Sequence, residues 1–112
     1  MPELKIFVVA AGRAKEGLEH AIRELVPSAE FTELDSEADI VVCIDEDEFW
    51  SNRKRFENVY FLIYDHLGRI DEIMRELPDD CEFVEDETRL TELCQMSSQK
   101  FEVMLMDKHS KK

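Results

Sequence analysis

Carboxylates follow three apolar stretches of this chain, in two runs and one single residue. Asp45-Glu46-Asp47-Glu48 follows Ala38 to Ile44, Asp65 follows Val59 to Tyr64, and Glu85-Asp86-Glu87 follows Cys81 to Val84. Short apolar runs rich in β-branched and aromatic residues read as strands. If those strands run parallel, eight carboxylates share one rim at their carboxyl ends. Three chemistries are open to such a rim. Crowded carboxylates attract hard divalent cations, which makes Asp45, Asp65 and Asp86 candidate metal ligands. Aspartate before a helix, with glutamate three residues on, satisfies orphan N–H groups, and Asp45 with Glu48 has that spacing. A rim of one charge also steers a basic partner.

Capping accounts only for acids at helix starts. Between Arg23 and Arg53 there are ten acids and no base, and between Arg75 and Arg89 seven acids and no base. Glu30, Glu33, Asp35, Glu37 and Asp39 lie away from any helix start that the pattern predicts. With Asp45, Glu46, Asp47, Glu48, Glu85, Asp86 and Glu87 they form the expected partner-binding set, and Trp50 is its aromatic anchor. Arg53-Lys54-Arg55, beside Trp50, is the one basic counterpoint.

The whole chain carries 27 acids against 14 bases, a formal net charge of -13 over 112 residues. A surface of that sign repels phosphate backbones and anionic lipids, so direct nucleic-acid and membrane binding are disfavoured. The expected partner is a basic protein surface, with nucleic-acid-processing proteins the most natural source. Acidic proteins can inhibit such targets by imitating a nucleic-acid backbone.

Catalytic patterns are scarce. Ala10-Ala11-Gly12-Arg13 offers one glycine before a helix, neither GxGxxG nor a phosphate loop. His66 follows Asp65 at a strand end, but no Ser or Cys nucleophile is placed with it, and Ser51 has no elbow motif. Cys43, Cys81 and Cys94 are odd in number and widely spaced, which predicts buried free thiols in a reducing compartment. The expectation is a non-enzymatic protein with no cofactor. Met1 to Lys5 shows no signal-peptide pattern, and no apolar run approaches the ~20 residues of a membrane span, so the expected address is cytoplasmic.

The elements that must position these residues alternate. Lys5 to Ala10 reads as a strand buried on both faces. Leu18, Ala21, Ile22 and Leu25 mark one helix face, stopped by Pro27. Glu30 to Leu34 reads as an edge strand and Ala38 to Ile44 as a central one. Asp35-Ser36-Glu37 between them cannot hold a crossover helix, so the two form a hairpin or a loop passes under a neighbouring strand. Asp45 to Glu48 opens a short helix with Phe49, Trp50 and Phe56 on one side. Val59 to Tyr64 is a strand, and Asp65 is expected to cap a helix carrying Leu67, Ile70, Ile73 and Met74. Pro78-Asp79-Asp80 turns into a strand over Cys81 to Val84. Asp86 or Glu87 opens a C-terminal helix with Leu90, Leu93, Cys94, Phe101, Met104 and Leu105 on one stripe. Ser97-Ser98-Gln99 could break it, and residues 100–107 alternate as a strand would, although helix is the favoured reading.

This pattern predicts a single α/β domain over residues 1–107 and a basic tail over 108–112, with a mostly parallel sheet of four or five strands and helices on both faces. The element order resembles flavodoxin-type and receiver-type domains that have lost their second helix; the first part also resembles the four-stranded layout of BRCT modules. The receiver resemblance implies a phosphoacceptor aspartate ending the third strand, where Asp45 stands. It also implies an acidic pair, a Ser or Thr, and a Lys ending the first, fourth and fifth strands. This chain instead has Ala10-Ala11, Tyr64-Asp65 and Glu85. Two alternatives stand beside the docking protein: a receiver- or flavodoxin-like domain holding a small ligand or divalent metal, and an oligomeric module. In the last, Met96, Met104 and Met106 of the C-terminal segment pair two copies into a homodimer.

Overall fold

A computed structural model describes residues 4–10, 12–56, 59–65, 68 and 70–110. Five strands form one sheet in the order β2-β1-β3-β4-β5, with every neighbouring pair parallel. They are β1 (Lys5–Val9), β2 (Glu30–Phe31), β3 (Ile40–Cys43), β4 (Tyr60–Tyr64) and β5 (Cys81–Val84). The helices are α1 (Gly12–Leu25), α2 (Glu46–Asn52), α3 (Glu87–Cys94) and α4 (Ser98–Ser110). The strand order is that of flavodoxin-type doubly wound sheets. A hairpin between β2 and β3 is ruled out, because β1 lies between them and pairs with both in parallel. The chain returns through a single 3-10 turn, Asp35–Glu37.

The apolar runs follow from burial on both sheet faces. Ile6, Val8, Ile40, Val42, Tyr60, Leu62 and Val84 point to one face, where Leu18 and Ile22 of α1, Leu90 and Leu93 of α3, and Phe101 and Leu105 of α4 cover them. Val9, Val41, Cys43, Phe61, Ile63 and Cys81 point to the other, under Phe49 of α2 and Phe56. Leu18, Ile22, Leu90 and Leu93 are fully buried, and each such side chain contributes about 1.5–3 kcal/mol relative to exposure. One polar clip ties the first face together. Arg89 of α3 donates from Nε and Nη2 to the two carboxylate oxygens of Glu82, at 2.6 and 2.8 Å, and Tyr60 Oη donates to Glu82 at 2.8 Å. Fork-to-carboxylate geometry makes this the strong form of ion pair.

The second face is thinly covered. Three crossovers pass over it, and only β3-to-β4 carries a helix. Where a helix after β2 would lie, the Arg55 guanidinium sits 5.0 Å from the centre of the Phe7 ring, and Phe56 meets Phe7 edge-on at 5.1 Å. Cation–π and edge contacts thus shield an otherwise open strand surface.

Two sequence expectations need correction, and one alternative left open is settled. The helix expected after Asp65 does not form: the described residues from 65 to 80 are irregular. Gly68 has φ +67°, the left-handed region that ends helical turns, and Asp65 accepts the N–H of Ile70, too far along the chain for a helix cap. The apolar period was real, since Ile70 and Ile73 still pack on the second face; Leu67 lies outside the described residues. Strand β2 spans two residues rather than the five of Glu30 to Leu34, because Thr32 Oγ1 takes the Leu34 N–H at 3.1 Å and turns the chain. The C-terminal stripe is two helices, broken where Ser97 Oγ accepts the Lys100 N–H and starts α4. Residues 100–107 are helical, with Phe101 and Leu105 inward and Val103 and Met106 exposed. Among the described residues no helix is long and apolar enough to cross a membrane.

All three cysteines are free and buried. Burial pushes the thiols of Cys81 and Cys94 up to about 12 and that of Cys43 further still. A raised folded-state pKa contributes stability that is complete below the unfolded value near 9 and is lost as pH climbs toward 12. Denaturant melts between pH 8 and 11 should therefore show stability falling above about pH 9, by up to ~1.4 kcal/mol per pH unit for each thiol. A thiol reagent at neutral pH should label all three only after unfolding.

Candidate functional site: an acidic cleft at the carboxyl ends of β3 and β4

Strand β3 delivers Asp45 to the rim, and its carboxylate accepts the Glu48 N–H at 2.8 Å, capping α2. The capping half of the expected motif is therefore in place. Helix α2 then carries Glu46, Asp47 and Trp50 along its outer side. Glu46 makes the decisive contact. Its carboxylate accepts the Trp50 Nε1–H at 2.9 Å, the Met74 N–H at 2.7 Å and the Arg75 N–H at 3.1 Å. Those three donors hold its carboxyl below the usual carboxylate range, the Trp50 hydrogen bond most of all, with the Arg75 charge adding to the effect. The segment after β4 is thus strapped to α2 by a side chain rather than built as a helix.

Between α2 and this strap lies an open cleft of about 520 Å³. Asp45, Glu46, Asp47, Asp71 and Glu72 line it against one base, Arg75, with Trp50, Ile70 and Met74 as its apolar part. The Arg75 guanidinium sits 5.3 Å from the Trp50 ring centre and that of Arg53 at 5.7 Å. Phe49 backs the indole at 4.8 Å. Met74 stands on the lip, 80% exposed. Asp47, Asp71 and Glu72 form no ion pair among the described residues. The site lies beyond the carboxyl ends of the strands, where open α/β sheets bind ligands.

The structure divides the other expected site residues among separate places. Glu30 lies in β2, Glu33, Asp35 and Glu37 lie on the loop that returns from it, and Asp39 precedes β3 beside β1; bases distant in sequence reach three of the five. Lys15 pairs with Glu33 at 3.1 Å, Arg55 with Asp35 at 3.0 Å and Lys5 with Glu37 at 3.6 Å, while Asp39 accepts the Lys5 backbone N–H at 2.9 Å. A window free of bases in sequence is therefore partly neutralised in space. Glu48 accepts from Asn52 and lines a second groove of about 280 Å³ on the Phe7 side. Asp86 caps α3 by accepting the Thr88 N–H at 2.7 Å, with Glu85 and Glu87 exposed beside it. Asp45, Asp65 and Asp86 each accept a backbone N–H on a different element. Among the described residues no group of three or more His, Cys, Asp or Glu side chains could hold a metal ion. His66 lies outside the described residues.

Asp71, Glu72, Met74 and Arg75 were not among the expected site residues, because the apolar period placed them on a helix. Gly68 inside that period was the one local sign of a break. Comparison with protein-family models, curated proteins and solved structures returned no match to this chain.

Two outcomes are expected. Glu46→Gln should loosen the strap, read as faster proteolytic cleavage near Met74 and faster amide exchange at Met74 and Arg75. In the wild type, the strap's stabilisation is complete above the ordinary carboxylate range and is lost as pH falls through the lowered pKa of Glu46. The emission of Trp50, the one tryptophan in the chain, should follow that transition.

Proposed function

We propose that this protein is a non-enzymatic docking module that binds a basic protein partner and inhibits or regulates it. The cleft between α2 and the strap carries this reading: five carboxylates and an indole line it against a single guanidinium, and three of the five, Asp47, Asp71 and Glu72, are exposed and without ion pairs among the described residues. Such a surface complements lysine- and arginine-rich patches, and its field raises the encounter rate with them. Trp50 supplies the aromatic anchor that interface hot spots favour, already backed by Phe49 and fixed through its Nε1–H. The β2 edge is the weaker contact, since Lys5, Lys15 and Arg55 already occupy three of its carboxylates.

Proteins that bind DNA or RNA present the commonest surfaces of the required sign, so they are the target class, with the acidic rim standing in for a phosphate backbone. Binding in the cytoplasm and release by salt fit the same reading.

The test pairs two charge-matched triple variants. Asp47→Asn with Asp71→Asn and Glu72→Gln empties the cleft of its unpaired carboxylates. Glu16→Gln with Glu24→Gln and Glu102→Gln removes the same charge from exposed sites on α1 and α4. Each protein is immobilised, exposed to cell lysate and eluted with a salt gradient. Basic nucleic-acid-binding proteins should bind wild type and the α1/α4 variant and should bind the cleft variant at least about tenfold more weakly, as the loss of three partly exposed pairs implies. Equal losses in both variants, or retention unaffected by molar salt, would reject the proposal.

A further inference from the structure

We infer that the cleft selects arginine side chains and that Arg75 is its internal placeholder, covering the Trp50 ring until a partner's guanidinium displaces it. This rests on the docking reading above and adds to it the chemical group recognised and a built-in competitor.

The geometry sets up a platform rather than a closed pair. The Trp50 ring is held by its Nε1–H to Glu46 at 2.9 Å and by a tilted contact with the Phe49 ring at 4.8 Å. The guanidinium of Arg75 stacks there at 5.3 Å, on a side chain that is exposed. Glu46 attracts it through charge, yet the oxygens of Glu46 already accept three N–H groups. No fork-type bond joins Arg75 to a carboxylate among the described residues. Compare Arg89, whose guanidinium grips Glu82 through two short hydrogen bonds. Arg53, the other cation near the ring, is committed elsewhere, 3.6 Å from Asp80. Arg75 is therefore the exchangeable one.

What Arg75 leaves unused is what an incoming arginine needs. Asp47, Asp71 and Glu72 stand around the same cleft without ion-pair partners among the described residues. A planar guanidinium can stack on the indole and fork to a carboxylate at once, whereas an ammonium offers only a point charge. Exchange swaps one stack for a stack plus new charge-assisted hydrogen bonds. The strap need not unfold, because its backbone is held through Met74 and Arg75 N–H groups and not through the Arg75 side chain.

The experiment uses the full chain, hexa-arginine and hexa-lysine at low ionic strength, and Trp50 emission as the readout. Three proteins are compared: wild type, Arg75→Gln, and Arg13→Gln, which removes the same charge from the exposed start of α1. Hexa-arginine should bind more tightly than hexa-lysine and shift the Trp50 emission. Arg75→Gln should tighten hexa-arginine by on the order of fivefold, the scale of one exposed cation–π contact, with a smaller gain for hexa-lysine. Arg13→Gln should change both peptides alike and little. If Arg75→Gln and Arg13→Gln tighten both peptides equally, only net charge is being read and the inference falls. If both peptides bind without altering Trp50 emission, docking survives and arginine selectivity falls. If neither peptide binds, the docking reading fails and takes the inference with it.

Discussion

The carboxylate of Glu46 holds the cleft side of this molecule in shape. In a doubly wound sheet, a crossover helix satisfies its own backbone while covering the strands beneath. The β4-to-β5 crossover here has no such helix among its described residues, so its amides need another acceptor. Glu46 meets part of that need, taking two strap N–H groups and the indole N–H of Trp50 on one side chain. Asp65 takes a third amide, that of Ile70. The strap's apolar residues Ile70 and Ile73 then pack on the sheet, and its acids and Arg75 face the opening beside α2. A cleft exists there because a strap is thinner than a helix. The same thinness recurs over Phe7, where Arg55 and Phe56 fill in for a second missing helix.

Charge has to be read in three dimensions for this chain. The run from Glu24 to Glu48 is uniformly acidic in sequence, yet its middle lies along the β2 edge within reach of Lys5, Lys15 and Arg55. Such exposed pairs add little stability, roughly 0–1 kcal/mol each, but they blunt the field that a partner would feel. Glu82 and Asp80 in the second acidic window are likewise paired, with Arg89 and Arg53. Among the described residues, Asp47, Asp71 and Glu72 keep unpaired charge where α2 and the strap meet, as Glu85 and Glu87 do beside α3.

Sheet architecture was legible because buried parallel strands need apolar residues on both sides. All of IVVC and YFLIY, and all but Lys5 of KIFVV, carry that constraint, and a parallel sheet covered on both faces places three such strands centrally. Helix α1 and the cap at Asp45 were legible for local reasons, namely a clean 3.6-residue period and an N-cap with its acids following. The strap was not. Ile70, Ile73 and Leu77 have helical spacing, and what overrides it is the positive φ at Gly68 together with capture of amides by Glu46, twenty-eight residues away from Met74. Half of the cleft was therefore hidden. Asp45, Glu46, Asp47 and Trp50 could be picked from the rim pattern, but Asp71, Glu72, Met74 and Arg75 join them only through that long-range contact.

The most direct test of the account is to map where a basic ligand lands. Uniformly 15N-labelled protein titrated with an arginine-rich peptide would report amide shift changes residue by residue. The largest changes should fall at Asp45 to Trp50 and Ile70 to Arg75, including the Trp50 indole N–H, with the β2 edge and α4 changing little. Changes centred on Glu30 to Asp39, or spread evenly over the acidic surface, would contradict that and leave the cleft as a gap in the packing.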